Sequence, residues 1–507
     1  MTIATWVEKW SLICPDKIAI RYQTEDISYG MFGRKVRDTA AMLHDALGVR
    51  RGDRVAFLGQ NHPRMFYLLF ACARIGAILV PLNWRLTSTE HHHMLTDSGA
   101  TVFFVEEAYQ DQCEPLLKKL PDCRFVTIGG TKMPGWTGLQ EVLRTSQGHE
   151  PRPDSELDDP VLIVFTSGTT GFPKGAVLTQ AALETNVLNS IHMHDMIFDD
   201  VVLTILPMFH VGGLNIQTTA AFYMGATVLL HQNFDAGKTI EAINRDHPSL
   251  MIMLPAHMKP LYDHPAWDSL DLSSLRSVTT GSCVVPEKMT SFWHDRNIPL
   301  IQVYGSSETC PIAIHQTASN AFQTEGSIGF PAKHCKVRIV DDKGQDCKDG
   351  DAGEILIKGR NIMTYYWNNS QATKKALRKD WFYTGDIGYR DAGGCYHFVD
   401  RKKDMIISGG ENIYPAEIET VLAGHPDIQE IAVVGRPDDR WGEAVVAFIV
   451  ATNGHNPTQE DILNWLKDRL GRYKHPRDFH FLDHMPRNEM RKILKEKLRG
   501  MAQLQKA

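Results

Sequence analysis

The chain has 507 residues, of which 43% are hydrophobic and 22% charged, a composition typical of a soluble globular protein of two or more domains. Its formal net charge of −6 argues against a nucleic-acid-binding surface. Nine cysteines without a C-x-x-C pair, and an N-terminus without the pattern of a signal peptide, predict free thiols and a cytoplasmic protein.

The first 150 residues alternate between apolar runs typical of strands and amphipathic runs typical of helices. Residues 54–59 and 101–106 predict strands. The apolar stretch 65–82 contains Arg74, so it predicts a buried helix over about 63–74 followed by a strand, rather than a membrane span. This alternation predicts a parallel, doubly wound sheet.

A strand predicted over residues 161–165 leads into a loop rich in small and hydroxylated residues. Glycines let backbone N–H groups approach a phosphate closely, hydroxyls add donors, and Lys174 adds a mobile positive charge. The generic P-loop needs Ser or Thr directly after its lysine, and Gly175 stands there, which excludes that motif. The composition of the loop still predicts that it binds the polyphosphate of a nucleotide. The predicted contacts are Thr166, Ser167, Gly168, Thr169, Thr170, Gly171 and Lys174.

The remaining chain predicts a second sheet, followed by a region with a different pattern of secondary structure. Short apolar runs at 201–206, 226–230, 250–254, 277–281 and 300–304 form the second set of strands. From about Lys336, short alternating strands separated by Asp/Gly turns predict a small β-rich subdomain. The last hundred residues mix helix and strand, and the charged cluster at 400–404 is typical of a linker. We therefore predict an N-terminal domain over 1–400 and a C-terminal domain over 401–507.

The run TSGTTGFPKG at residues 166–175 resembles the phosphate loop of the adenylate-forming (AMP-binding) superfamily. Further motifs match that family in order along the chain, at residues 207–213, 281–283, 304–309, 383–386, 401–404, 408–412 and 486–495. The resemblance implies an α/β fold, with a large N-terminal domain of doubly wound sheets, a β-rich subdomain and a small mobile α+β C-terminal domain. It also implies an acyl-CoA synthetase, which forms an acyl-adenylate from a carboxylic acid and ATP and then passes the acyl group to coenzyme A.

The same motifs assign residues to ATP and magnesium. Glu308 is expected to hold Mg²⁺, a hard cation that prefers oxygen ligands, and Thr309 to hydrogen-bond the α-phosphate. Asp386 is expected to accept both ribose hydroxyls, since an ionised carboxylate presents two acceptor oxygens. Lys492 stands where the family keeps its adenylation lysine, with Arg491 in place of the usual glycine. Further nucleotide contacts implied by the resemblance are Gly281, Ser282, Tyr304, Gly305, Ser306 and Arg401.

A second set of residues is implied for the coenzyme A step. Lys403 matches the family's hinge, about which the C-terminal domain rotates and removes Lys492 from the path of the thiol. Trp441 is expected to stack on the coenzyme's adenine, and basic side chains to meet its phosphates. The residues implied at the coenzyme are Arg85, Ser408, Gly409, Gly410, Trp441, Arg472 and Lys474.

The acid itself is less closely defined. The implied acyl pocket contains His210, Val211, Gly212, Gly213 and Val303, which are mostly small or apolar and favour a hydrophobic acid. A fatty acid is favoured over the alternative, an aryl acid such as a hydroxycinnamate or benzoate. A non-catalytic nucleotide-binding protein is the alternative of a different class, and Lys492 argues against it. The sequence does not determine whether the protein forms a homodimer.

Overall fold

The computed structural model describes residues 2–130, 133–146, 148, 155–166, 173–281, 285, 287–408, 411–438, 441–467, 469–487 and 492–504. Packing divides the chain into two compact units. Unit 1 contains residues 1–337 and 357–382, and unit 2 contains residues 338–356 and 383–507. This division does not test a domain boundary at residue 400, which stays a prediction.

The strands follow the apolar runs of the sequence closely. In chain order they are β1 (Ile18–Tyr22), β2 (Glu25–Ser28), β3 (Arg54–Leu58), β4 (Ile78–Leu82), β5 (Val102–Glu106), β6 (Arg124–Ile128), β7 (Thr137–Gly138), β8 (Pro160–Thr166), β9 (Lys174–Thr179), β10 (Val201–Thr204), β11 (Thr227–Leu230), β12 (Leu250–Ile252), β13 (Ser277–Gly281), β14 (Leu300–Tyr304), β15 (Ile314–His315), β16 (Phe330–Pro331), β17 (Cys335–Val340), β18 (Gly353–Gly359), β19 (Tyr365–Tyr366), β20 (Leu377–Arg378), β21 (Trp381–Arg390), β22 (Tyr396–Arg401), β23 (Ile406–Ser408), β24 (Glu411–Ile413), β25 (Ile428–Asp438), β26 (Gly442–Ala451) and β27 (Asp478–Phe481).

The helices lie between these strands. They are α1 (Ala4–Ile13), α2 (Tyr29–Ala41), α3 (Pro63–Ile75), α4 (Ser88–Ser98), α5 (Gln110–Lys119), α6 (Leu139–Thr145), α7 (Gln180–His194), α8 (Val211–Asn215), α9 (Thr218–Met224), α10 (Ala236–Asp246), α11 (Pro255–Tyr262), α12 (Glu287–His294), α13 (Ser370–Ala376), α14 (Pro415–Ala423), α15 (Gln459–Lys467) and α16 (Lys495–Leu504). Shorter helical turns occur at Met42–Ala46, Glu107–Tyr109, Trp267–Ser269, Ser307–Thr309 and Arg472–Lys474.

Unit 1 is built on two large sheets. One has the order β16-β15-β14-β13-β12-β10-β11-β1-β2, in which the pairs from β14 to β1 are parallel. The other has the order β19-β9-β8-β4-β3-β5-β6-β7, in which β8 to β7 are parallel and β9 is antiparallel to β8. Helices connect successive parallel strands, as such sheets require. The predicted doubly wound α/β architecture is confirmed.

Helix α3 is part of the hydrophobic core of unit 1. It begins at Pro63, whose fixed φ suits the first helical position, and ends before Gly76 at φ 73°. Phe66 and Phe70 pack with Phe222, with ring centroids 4.8 and 6.1 Å apart. The apolar stretch is therefore a buried helix, as its internal arginine predicted. In the described part of the chain, no helix has the length and apolar character that crossing a bilayer requires.

Unit 2 contains a sheet that is apolar on both faces. Strands β25 and β26 are antiparallel, and β27 lies parallel to β26. Successive side chains point to opposite faces of a strand. Val434 and Phe448 therefore face Leu498 of α16, whereas residues of the opposite face such as Val433 pack with Leu466 of α15. The predicted α+β character of this region is confirmed.

Candidate functional site

The phosphate loop is closed by a strand pair. Thr166, the last residue of β8, is the antiparallel partner of Lys174, the first residue of β9. The Thr166 hydroxyl also donates to the carbonyl oxygen of Lys174 at 3.3 Å. The predicted contacts Ser167, Gly168, Thr169, Thr170 and Gly171 lie outside the described residues. The pairing fixes where the loop begins and ends, and places Lys174 at its exit.

The turn after β14 holds the predicted magnesium ligand. Glu308 and Thr309 form one short helical turn, and the Thr309 side chain is fully buried. Its Oγ1 accepts a hydrogen bond from the backbone N–H of Ser306 at 2.8 Å and donates to the Ser306 carbonyl at 3.0 Å. The Thr309 hydroxyl thus holds the turn together in this structure, and its contact with an α-phosphate stays a prediction. Tyr304 and Gly305 lead directly into the same turn.

Tyr366 links this turn to the phosphate loop, and sequence reasoning did not identify it. Its hydroxyl donates to Oε1 of Glu308 at 2.6 Å, and the nearby backbone N–H of Met363 donates to the Glu308 carbonyl at 2.8 Å. The Lys174 Nζ lies 5.8 Å from the centroid of the Tyr366 ring. Strand β19 carries Tyr366 and pairs with β9 opposite Ala176. Three elements distant in sequence therefore bring Lys174, Tyr366 and Glu308 together.

His210 lies before α8 with an uncharged, buried ring nitrogen. Desolvation, and to a smaller extent the positive charge of Arg85, lowers the pKa of His210 to about 4. Its Nε2 atom is buried and has no hydrogen-bond partner among the described residues. Arg85 itself lies 4.7 Å from the ring centroid of Trp84 and 6.0 Å from that of Phe209. The structure places Arg85 beside His210, and its contact with coenzyme A stays a prediction.

The glycines of the predicted acyl pocket and Gly281 of the predicted nucleotide site have different surroundings. A Cβ on Gly213 would lie 2.4 Å from the Pro207 carbonyl oxygen, and one on Gly281 would lie 2.4 Å from that of Val303, so both allow close backbone packing. A Cβ on Gly212 would meet no atom within 4 Å. Gly212 therefore borders open space, as expected of a residue that lines a pocket. Val211 and Val303 are buried, and Ser282 lies outside the described residues.

The predicted ribose contacts face each other in unit 2. Asp386 on β21 and Arg401 on β22 are register partners, and the Arg401 Nε lies 3.3 Å from the Asp386 Oδ1. The backbone N–H of Asp386 donates to the Thr384 hydroxyl at 3.0 Å. Asp386 is only 6% exposed, so its carboxylate is largely shielded from solvent. The β-pairing explains why two residues 15 positions apart form one pair.

Lys492 lies within electrostatic reach of this pair. The residue keeps an exposed surface, but surrounding protein atoms partly desolvate its ammonium group. This desolvation, together with the positive charges of Arg401 and Lys403, lowers the pKa of Lys492 to about 8, although Asp386 and Asp404 oppose the shift. The structure thus brings together three residues that the sequence assigned to the nucleotide, Asp386, Arg401 and Lys492.

Lys403 lies between two anchored neighbours. The Lys402 Nζ pairs with Asp342 at 3.0 Å and with Glu354 at 3.3 Å. Asp404 pairs with Arg499 of α16 at 2.5 Å. The residue before Lys403 is therefore attached to segment 338–356, and the residue after it to the C-terminal helix. This arrangement suits a hinge at Lys403, which stays a prediction.

The predicted coenzyme contacts other than Arg85 are scattered over unit 2. Ser408 is buried in β23, and its register partner is Gly442, the residue that follows Trp441. The guanidinium carbon of Arg477 lies 4.3 Å from the centroid of the Trp441 ring. The sequence alone did not predict this contact. The Lys474 Nζ donates to both oxygens of Glu417, at 2.5 and 2.7 Å, and its contact with a coenzyme phosphate stays a prediction. Arg472 is exposed, and Gly409 and Gly410 lie outside the described residues.

The order of these motifs along the chain, together with the α/β fold that carries them, is typical of a family of ligases that use a nucleotide. The family model described as AMP-binding enzyme matches residues 7–367, and the one described as AMP-binding enzyme C-terminal domain matches residues 417–492. The chain belongs to the AMP-binding enzyme family, and the resemblance to the adenylate-forming superfamily is confirmed.

Its relatives are ligases of several acids. The chain is 46% identical over 503 residues to an indoleacetate–CoA ligase of Aromatoleum aromaticum, covering 99% of this chain and 98% of the relative. It is 36% identical over 504 residues to a feruloyl-CoA synthase of Amycolatopsis, covering 98% of each. It is also 35% identical over 454 residues to a long-chain-fatty-acid–CoA ligase of Mycobacterium tuberculosis, covering 90% and 89%.

A solved structure of similar fold carries ATP. The o-succinylbenzoate coenzyme A synthetase from Bacillus subtilis, in complex with ATP and a magnesium ion, matches with a TM-score of 0.86 and 30% identity over 97% of this chain and 99% of that one.

Proposed function

We propose that the protein is an ATP-dependent acid–CoA ligase. A carboxylate attacks the α-phosphorus of ATP and expels pyrophosphate, and the thiol of coenzyme A then attacks the acyl carbon and expels AMP. The first step needs no general base, because a carboxylic acid is already ionised at neutral pH. It needs positive charge and alignment around the phosphates.

The observation that carries this proposal is the convergence of Asp386, Arg401 and Lys492. The Asp386 carboxylate would accept the ribose hydroxyls, and Lys492 would place its positive charge where negative charge develops. The carboxylate oxygens of Glu308 suit Mg²⁺, so Glu308 would hold the ion, supported by Tyr366. When bound, the ion supplies further neutralisation of phosphate charge.

We infer that the acid is aromatic, of the arylacetic type, in place of the fatty acid favoured by the sequence. The 46% identity to an indoleacetate–CoA ligase over nearly the whole of both chains supports this class. His210 stays neutral above pH 4, so it adds no charge beside an apolar ring. A fatty acid is the second candidate, since Ile216 and Val303 belong to one buried apolar cluster.

The substrate class is tested by AMP release with ATP, Mg²⁺ and coenzyme A against a panel of acids. The panel contains indole-3-acetate, phenylacetate, ferulate, benzoate and fatty acids of increasing chain length. We expect the highest kcat/KM with an arylacetate. Highest activity with a long-chain fatty acid would overturn the aromatic proposal and retain the ligase. No AMP release from any acid would contradict the ligase itself.

The activity should fall on the alkaline side as Lys492 loses its proton. Its pKa is lowered to about 8, and only the protonated form neutralises phosphate charge, so the rate is full below that value and decreases above it. We expect kcat/KM for pyrophosphate release to show a descending limb near pH 8, since this ratio reports the free enzyme. In Lys492→Arg the limb should move out of the accessible range, because arginine does not deprotonate. An unchanged limb in this variant would assign it to another group.

Removal of the Tyr366 hydroxyl should weaken adenylate formation. Tyr366→Phe removes the hydrogen bond that orients Glu308, and a bond to a charged group contributes about 1.5–3 kcal/mol. We expect kcat for ATP–pyrophosphate exchange to decrease roughly tenfold, with a higher Mg²⁺ requirement. Tyr365→Phe, on the neighbouring position of the same strand, is the matched control. Equal losses in both variants would show that the strand, rather than the bond to Glu308, matters.

A further inference from the structure

Gln217 is a fully buried amide between α8 and α9. Its Nε2 lies 3.1 Å from the Nε2 of His194 and 3.2 Å from the Oγ1 of Thr279. The Thr279 hydroxyl lies 2.9 Å from the same His194 nitrogen. These three side chains contact one another in the buried interior of unit 1, and the hydroxyl of Ser190 lies 3.3 Å from the His194 Nδ1.

The contacts of His194 determine how this group is oriented. Its Nδ1 lies 2.9 Å from the carbonyl oxygen of Ser190, and a carbonyl only accepts, so Nδ1 carries the proton. Burial lowers the pKa of His194 to about 3 and keeps the ring neutral, which leaves Nε2 as an acceptor. An acceptor at this position requires the NH₂ side of the Gln217 amide to face it. The amide oxygen therefore points away from His194.

The amide oxygen of Gln217 is buried and has no hydrogen-bond partner among the described residues. A buried carbonyl without a donor is costly in an apolar interior. Since His194 and Thr279 hold the NH₂ side, the amide cannot turn to relieve this cost. The chemistry that completes the site is an N–H or O–H donor.

Position along β13 connects Gln217 to the predicted acyl pocket. Thr279 and Gly281 are two residues apart, so they lie on the same face of the strand, about 7 Å apart along it. Gly281, a predicted nucleotide contact, is the register partner of Val303 of that pocket, and Thr279 contacts Gln217. Gln217 also follows Gly212 in chain order by little more than one helical turn. An acid whose carboxylate lies near Gly281 would extend its far end toward Gln217.

We propose that the Gln217 amide oxygen accepts a hydrogen bond from a ring N–H of the substrate, so that the acid is an indole-type arylacetate. This inference rests on the proposed ligase function. His194 and Thr279 act as positioning residues that hold the amide in its orientation. The selectivity arises because an analogue without the N–H leaves the buried oxygen without a donor.

The test compares indole-3-acetate with 1-benzothiophene-3-acetate, which has nearly the same shape and sulfur in place of the N–H. With the unmodified enzyme we expect kcat/KM for AMP release to favour the indole by about tenfold to a hundredfold. In Gln217→Met, which keeps the length of the side chain and removes its acceptor, the ratio should fall to near one. Thr279→Val, which loosens the amide, should give an intermediate ratio.

Each outcome separates the two proposals. Equal use of both acids by the unmodified enzyme would overturn the role of Gln217 and retain an arylacetate ligase, and would indicate that the amide oxygen binds only a buried water. An unchanged preference in a folded Gln217→Met variant, judged by its thermal melting and ATP binding, would also overturn it. Activity with neither arylacetate would overturn both the aromatic class and the role of Gln217.

Discussion

Lys492→Ala is expected to reduce acyl-adenylate formation by about 10²- to 10³-fold. The substitution removes a preorganised positive charge from the phosphate undergoing attack, and loss of one such group costs this much in comparable sites. The measurement is ATP–pyrophosphate exchange dependent on the acid. The second half-reaction, supplied with synthetic acyl-adenylate and coenzyme A, should keep most of its rate, since the amine has no part in attack by the thiol.

Lys497→Ala is the control for this variant. Lys497 is an exposed lysine of α16, five positions beyond Lys492, so it tests whether general loss of positive charge explains the effect. We expect less than a twofold change. Equal loss of both half-reactions in Lys492→Ala would contradict a role confined to adenylation and would point to damage of the whole C-terminal segment.

The large elements of the fold were accessible from the sequence because they depend on local patterns. The apolar run predicted as a strand over 54–59 is β3, and the run over 161–165 is β8. Strand β9 was missed because its apolar residues follow directly on the phosphate loop, and only its antiparallel pairing with β8 makes it a strand. Strand β25 extends to Asp438, beyond its apolar run, because it pairs with β26 as far as Gly442.

The site was predictable where a residue's role depends on its own chemistry. The sequence predicts both Asp386 and Arg401 as ribose contacts, and the antiparallel pairing of their strands brings the two residues together. Contacts that depend on the choice of a distant partner were not predictable. Tyr366 reaches Glu308 from 58 positions away, and Lys474 is bound by Glu417, neither of which leaves a local pattern in the sequence.

Lys403→Pro is expected to impair thioester formation at least tenfold more than adenylation. Proline fixes φ near −65°, whereas a hinge must let this dihedral change between the two half-reactions. The ion pairs of Lys402 with Glu354 and of Asp404 with Arg499 hold the flanking residues to different parts of unit 2. A rotation within this turn is therefore expected to change the backbone dihedrals of Lys403. The hydrogen bonds found in the described backbone do not use the Lys403 N–H, so proline removes none of them.

Lys403→Ala distinguishes rotation from charge. Alanine removes the ammonium group of an exposed side chain and leaves the backbone free to rotate, so both half-reactions should stay within about twofold of the unmodified enzyme. Adenylation is followed by ATP–pyrophosphate exchange, and thioester formation by single turnover of the preformed adenylate with coenzyme A. If the proline variant transferred the acyl group at the unmodified rate, the rotation axis would lie elsewhere. If alanine were as harmful as proline, the charge of Lys403, rather than its backbone, would be what the second step requires.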